Sequence, residues 1–246
     1  MYKVYCPTYK RPLTIRTHKC YENVTYVVCE SQIDEYKKNN PNLNYWVVPD
    51  TAQGNLSRIR NYILDNSEVK KILLLDDDVK NFGSRESLKI NNYTSGEIDE
   101  FIEYAFDIAD QFGVKFFGIN PAGKTDFGAY RAFNPFSFRA YCGGPFQAHN
   151  NNACRYDENL PLKEDYDMTL QVIYKYGKLL RFNMMFIEND FQTLTGGCQQ
   201  IRNIEREKQN FTALQKKWGT NIVRKDNSYD SIGFDLNPIL QIPKRC

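Results

Sequence analysis

Ile72-Leu73-Leu74-Leu75-Asp76-Asp77-Asp78 is an unbroken apolar run that ends in a triplet of acids. A run without polar alternation suits a strand buried on both faces, as in a parallel sheet covered by helices. In open sheets of that kind ligands bind beyond the carboxyl ends of the strands, so the triplet falls where a site belongs. Upstream, Lys3-Val4-Tyr5-Cys6, Val24 to Cys29 and Tyr45-Trp46-Val47-Val48 are strand-like runs, stopped by Pro7, Glu30 and Pro49. Helix-compatible stretches lie between them, from Leu13, from Ile33 to Asn40, and from Leu56 to Leu64, where Leu56, Ile59, Ile63 and Leu64 share a side. This alternation predicts one α/β domain, a mostly parallel central sheet flanked by helices with right-handed crossovers. Downstream, the spacing predicts a helix from Gly96 to Phe112 and a strand from Val114 to Ile119. Short antiparallel strands and loops are expected from Asn120 to Asn152, then a helix from Asp165 to Tyr176 capped by Gly177. A strand from Leu179 to Ile187 and a basic helix from Ile201 to Trp218 precede an irregular tail.

With 246 residues, 41% hydrophobic and 25% charged, the chain has the makings of one large domain. A net charge of +2 excludes chain-wide attraction to nucleic acid. Between Ile201 and Asn227, however, seven Lys/Arg stand against three acids, either a basic surface or a solvated helix face. Seven cysteines without a C-x-x-C pair, beside only two histidines, argue against structural zinc and suit a reducing compartment. No window approaches the ~18 apolar residues of a membrane span, so a soluble cytoplasmic protein without a membrane partner is expected. The aromatic content of 14% fits either an aromatic core or a groove that stacks flat ligands.

The triplet invites cation chemistry. Alternate residues of an extended segment face the same way, so Asp76 and Asp78 are candidate ligands for Mg²⁺ or Mn²⁺, with Asp77 beside them. Such an ion stabilises a diphosphate leaving group; the plainer alternative is an acidic loop capping the next element. Arg58 and Arg60, just after the flexible Gly54, are candidate phosphate donors or surface ion pairs. Glu164, Asp165 and Asp167 stand at the start of a predicted helix, where acids commonly serve as caps. Gly143-Gly144 leaves room for a ligand or makes a tight turn. Gly196-Gly197, with Arg202 nearby, reads as a segment expected to be flexible and to fold over a bound diphosphate.

Leu73-Leu74-Leu75-Asp76-Asp77-Asp78 resembles the Asp-x-Asp motif of GT-A glycosyltransferases. Pro7-Thr8-Tyr9-Lys10-Arg11-Pro12 resembles their opening turn, and Gly54 to Asn61 resembles their Gly-x-x-x-x-Arg-Asn segment. The resemblance implies a GT-A (Rossmann-like) fold and a donor site made of Pro7, Thr8, Tyr9, Arg11, Glu30, Gly54, Arg58, Arg60, Asn61 and Asp77. It also implies metal ligation by Asp76 and Asp78, a catalytic base at Asp165 with Glu164 positioning substrate, and an acceptor side at Gly143, Gly144 and Asp167. The late histidine that completes the metal shell in many such enzymes has no counterpart, because His18 and His149 both precede Glu164. Size, the Gln53-to-Asn61 segment and the late Gly-Gly resemble the TET/JBP-associated glycosyltransferases, many of them phage-encoded. Membership implies inverting, Mn²⁺- or Mg²⁺-dependent transfer from a UDP-sugar to a hydroxymethylated pyrimidine in DNA, in the host cytoplasm. A glycan, lipid or protein acceptor is the alternative within the class, and a non-catalytic GT-A-like binding protein the alternative outside it. The expected division is residues 1–80 for the nucleotide-sugar half, 81–195 for the acceptor and catalytic half, and 196–246 for a basic extension.

Overall fold

The computed structural model describes residues 1–86, 89–122, 134–189, 203–225 and 237–242. Three parallel pairings build the first half of the sheet. β1 (Lys3–Pro7) lies between β2 (Thr25–Cys29) and β4 (Lys71–Leu75), and β3 (Asn44–Val48) flanks β2. β9 (Phe146–Asn150) runs antiparallel between β4 and β7 (Phe116–Ile119), followed by β10 (Leu180–Phe182) and β8 (Phe136–Ser137). The resulting order is β3-β2-β1-β4-β9-β7-β10-β8. A second sheet joins β5 (Val79–Glu86), β6 (Lys89–Asn92) and β11 (Met185–Asn189).

The apolar run behaves as a doubly buried strand. Leu73 and Leu75 enter one core with Val4, Ile102, Phe106 and Phe117, while Ile72 and Leu74 enter the other with Ile59, Ile63 and Met168. Each such leucine contributes roughly 1.5–3 kcal/mol relative to exposure. α3 (Ser95–Gln111) covers the first core, started by a capping box in which Thr94 and Glu97 satisfy each other's backbone N–H. α2 (Leu56–Asn66) and α4 (Glu164–Tyr176) cover the second; α1 (Ile33–Asn39) is short. Phe82, Phe101, Phe117, Phe146 and Phe182 pack ring against ring inside the first core, and Phe101 and Phe182 also border a groove with Tyr93, Tyr104 and Phe136.

Three expectations are corrected. The stretch from Leu13 is a chain of turns with one 3₁₀ turn at Thr17–Lys19, because it bends round the acidic triplet instead of crossing the sheet. The final strand is two, β10 and β11, split at Asn183-Met184 where the chain leaves the main sheet for the second. The basic helix α5 begins at Ile204, with Asn203 as its cap, and ends at Trp218; β12 (Val223–Lys225) and β13 (Pro238–Leu240) follow as a small ribbon.

Candidate active site

β4 delivers the triplet to the carboxyl edge of the sheet, and its main chain is held there by the turns after β1. Arg16 N–H donates to Asp77 O (2.9 Å), and Thr17 Oγ1 donates to Asp76 O (2.6 Å) while accepting from Val79 N–H (3.1 Å). From the other side Asp76 N–H donates to Pro145 O (3.1 Å). Asp77 turns inward, accepting from Thr8 Oγ1 (2.6 Å) and from Arg11 Nη1 (2.8 Å), which also lies 3.9 Å from Asp78. Tyr36 ties this corner together, its hydroxyl 2.9 Å from Thr8 Oγ1 and 2.9 Å from the Arg11 N–H it accepts. Thr17 and Tyr36 are therefore site-building residues that sequence reasoning did not single out.

Arg60 joins the two acidic motifs. Its Nη2 lies 3.2 Å from Asp76 Oδ1, its Nη1 lies 3.1 Å from Glu164 Oε1, and its guanidinium sits 5.4 Å from the Tyr156 ring centre. The side chain is only 3% exposed. Two guanidinium groups, Arg11 and Arg60, thus relieve the repulsion within the triplet, so repulsion alone does not demand a metal. The ligand chemistry nevertheless fits one. Asp76 and Asp78 offer hard carboxylate oxygens, Asp76 on a 31% exposed side chain and Asp78 on a buried one, and Mg²⁺ commonly takes one or two carboxylates plus substrate phosphates. Among the described residues no group of three or more acids, histidines or cysteines converges on a common point. His149 is buried between Tyr156 (2.9 Å) and Asn152 (3.2 Å), and His18 meets Tyr26 (3.0 Å).

Asp165 is oriented by three donors. The Tyr141 hydroxyl and Gly144 N–H (3.2 Å) donate to Oδ2, and Tyr166 N–H donates to Oδ1 (2.8 Å). The paired glycines are what this approach requires. Gly144 has φ 73°, and a Cβ on Gly143 would overlap the Tyr141 hydroxyl and Asp165 Oδ2. Burial, and then Asp165, raise Tyr141 well above the ordinary tyrosine range, which keeps it a donor. Burial first, then Asp165, push Glu164 up to about 8 against the pull of Arg60. Burial, Arg60 and Arg155 bring His149 down to about 3.

These two shifts give opposite pH dependences. Glu164 holds its proton more tightly folded than unfolded, so its contribution is full below pH 4.5 and is lost as pH rises towards about 8. His149 holds its proton less tightly when folded, so its contribution is full above pH 6.5 and is lost as pH falls towards about 3. Thermal unfolding in chelator is expected to show Tm falling from pH 6.5 to 8.5 in the wild type and to fall markedly less in Glu164→Gln. Equal falls in both proteins would refute the assignment.

Asn61 spends both side-chain atoms on the Tyr156 main chain (2.9 and 2.8 Å), so it braces the fold. Arg58 is half exposed and pairs with Glu158 (2.9 Å), its guanidinium over Gly54, which has φ 150°. Asp167 is fully buried and accepts from Trp218 Nε1 (2.7 Å), Gln171 Nε2 (2.6 Å) and Lys217 Nζ, closing it off from an acceptor. Arg60 is held by Asp76 and Glu164, and Arg11 by Asp77. Pro7 is buried, Tyr9 is half-buried under Lys10, and Glu30 is exposed at the end of β2. Gly196, Gly197 and Arg202 lie outside the described residues.

A sheet of this order, with an acidic triplet at the end of β4 and an acid pair opening α4, defines the class of nucleotide-sugar transferases with the GT-A fold. The chain belongs to the TET-associated glycosyltransferase family, whose model matches residues 2–197. No curated protein matches it. The fold is similar to that of the mannosyltransferase PcManGT from Pyrobaculum calidifontis, solved with GDP-Man and Mn²⁺ (TM-score 0.52, 12% identity, 87% of this chain and 64% of that one). It is also similar to glucosyl-3-phosphoglycerate synthase from Mycobacterium tuberculosis, solved with Mg²⁺ and uridine diphosphate (TM-score 0.52, 8% identity, 92% of this chain and 83% of that one). The chain spans 65% of S. aureus TarS 1–349 and 39% of a second TarS structure, at TM-scores of 0.46 and 0.45 and identities of 15% and 16%, covering 87% of this chain in both cases. No helix among the described residues is long and apolar enough to cross a membrane.

Proposed function

We propose that this protein transfers a sugar from a UDP-sugar to a hydroxymethylated pyrimidine in DNA with inversion, Asp165 acting as general base. The observation that carries the reading is the Asp76–Arg60–Glu164 connection, which ties the donor-side triplet to the acid beside Asp165. Family membership supports the transfer and the DNA acceptor. Asp76 and Asp78 would hold a divalent ion, which when bound supplies charge stabilisation for the departing diphosphate. Asp165 takes the proton of the acceptor hydroxymethyl group as that oxygen bonds to the anomeric carbon. The bond from that carbon to the diphosphate oxygen breaks, and the nucleoside diphosphate leaves with the electron pair.

Incubation with common UDP-sugars, Mn²⁺ and hydroxymethylated DNA is expected to add one hexose or pentose to a nucleoside, read by mass spectrometry, and Asp78→Ala should lose the product. No mass change with any donor would overturn the DNA acceptor. Absence of donor hydrolysis as well, in the wild type, would overturn the catalytic reading.

A further inference from the structure

α5, which the sequence offers as a basic surface, lies beyond the residues matched by the family and makes its strongest contacts inward. Glu207 is 0% exposed and sits 2.7 Å from Lys163 Nζ, itself 2% exposed and the residue immediately before α4. One α-helical turn further along α4, Asp167 takes Lys217 Nζ at 2.9 Å and Trp218 Nε1 at 2.7 Å. Lys217 also reaches Asp157 (2.7 Å), and the Asn210 side chain accepts from Leu162 N–H (3.2 Å). Leu160, Leu170, Phe211, Leu214 and Val223 form a small apolar core under these ties. Glu164, Asp165 and Tyr166 are the three residues between Lys163 and Asp167, so the reactive turn of α4 is pinned by charge at both ends.

Buried ion pairs are a weak route to stability, because desolvation offsets most of their attraction, while hydrophobic replacements are often as stable. Their geometric value is larger: two fixed charges one turn apart set the rotation and height of a helix end, and catalytic carboxylates must hold position within fractions of an ångström. We infer that α5 is a positioning element for the Glu164–Asp165 pair, with Glu207, Lys217 and Trp218 as positioning residues acting through Lys163 and Asp167. The inference rests on the reading of Asp165 as base for its kinetic consequence, but its structural content stands separately.

The test uses the full chain. In Lys217→Met and Trp218→Phe, hydrogen exchange followed by mass spectrometry is expected to quicken at least tenfold in peptides covering residues 163–169, with β4 and β9 peptides unchanged. Where turnover is measurable, kcat should fall at least tenfold with donor KM within twofold, and Lys217→Arg should recover most of it. Unchanged exchange over residues 163–169, or a loss spread evenly over the sheet, would overturn the inference. An inactive wild type whose exchange still responds in this local way would sink the proposed reaction and leave the positioning role standing.

Discussion

Asp165→Asn is expected to lower kcat for sugar transfer by about 10²–10⁴-fold, the usual worth of a positioned general base, with donor KM changed less than about twofold because the lost interaction is made only in the transition state. Asparagine is nearly isosteric with aspartate, so the approach of Gly143 and the turn at Gly144 are retained. What it loses is the ability to accept a proton. Of the three donors that converge on Asp165, the amide oxygen can satisfy the Tyr141 hydroxyl and Gly144 N–H, leaving Tyr166 N–H opposite an NH₂ group. That mismatch costs on the order of 1–2 kcal/mol of stability, too little to explain the kinetic loss through unfolding at 25 °C. Initial rates with saturating donor, compared with the Tm of the same preparation, separate the two effects. A variant that keeps kcat within tenfold of wild type would remove Asp165 from the reaction and turn attention to Glu164. Tyr141→Phe provides a graded companion, since it deletes one orienting donor and leaves the carboxylate intact.

The fold was readable because its decisive signals are local. The run from Ile72 to Leu75 has no polar residue, and the α3 stripe has helical spacing. The abrupt change from leucines to acids brought the triplet to notice and the family resemblance the Glu164-Asp165 pair, and Arg60 touches both. The roles of single polar residues were less accessible because they depend on partners far away in sequence. Asp167 and Trp218 are separated by 51 positions, and Arg60 and Glu164 by 104. A partial signal was nevertheless present in the helix phase. Arg60 stands three and four residues before the buried Ile63 and Leu64, and Asp167 three before the buried Leu170, so both lie on inward stripes. A charged residue in such phase calls for a buried partner, as Arg60 has in Asp76 and Glu164 and Asp167 has in Lys217 and Trp218. The turns after Pro12 were misread for a different reason. Their conformation is set by Thr17 and Arg16 bonding to the triplet's main chain, a constraint with no local periodicity.

Arg60→Met is expected to destabilise the protein by about 3–5 kcal/mol, the range for removing one partner of a buried ion pair. Methionine fills much of the volume of the arginine stem, so packing against Tyr156 is largely kept and the loss is electrostatic. The variant leaves Asp76 and Glu164 facing each other without their shared cation. Burial raises Glu164 to about 8, so at pH 6 it already carries its proton and the stranded charge is that of Asp76, which, a third exposed, is partly rehydrated; above pH 8 the Glu164 carboxylate is stranded as well. The cost should therefore lie near 3 kcal/mol at pH 6 and grow as pH rises past 8. Arg60→Lys restores one charge but spans only one of the two acids, and should recover less than half. The double variant Arg60→Met/Glu164→Gln removes the stranded carboxylate along with the guanidinium, so denaturant titration is expected to find it more stable than Arg60→Met alone. A coupling of at least about 1 kcal/mol is the expectation for residues in direct contact. The competing view, in which Arg60 serves as a donor-phosphate ligand, makes the reverse forecast: stability near wild type, a raised donor KM and additive effects with Glu164→Gln. A flat double-mutant cycle would therefore remove Arg60 as the tie between triplet and acid pair, and with it the contact on which the proposed coupling of donor and base depends.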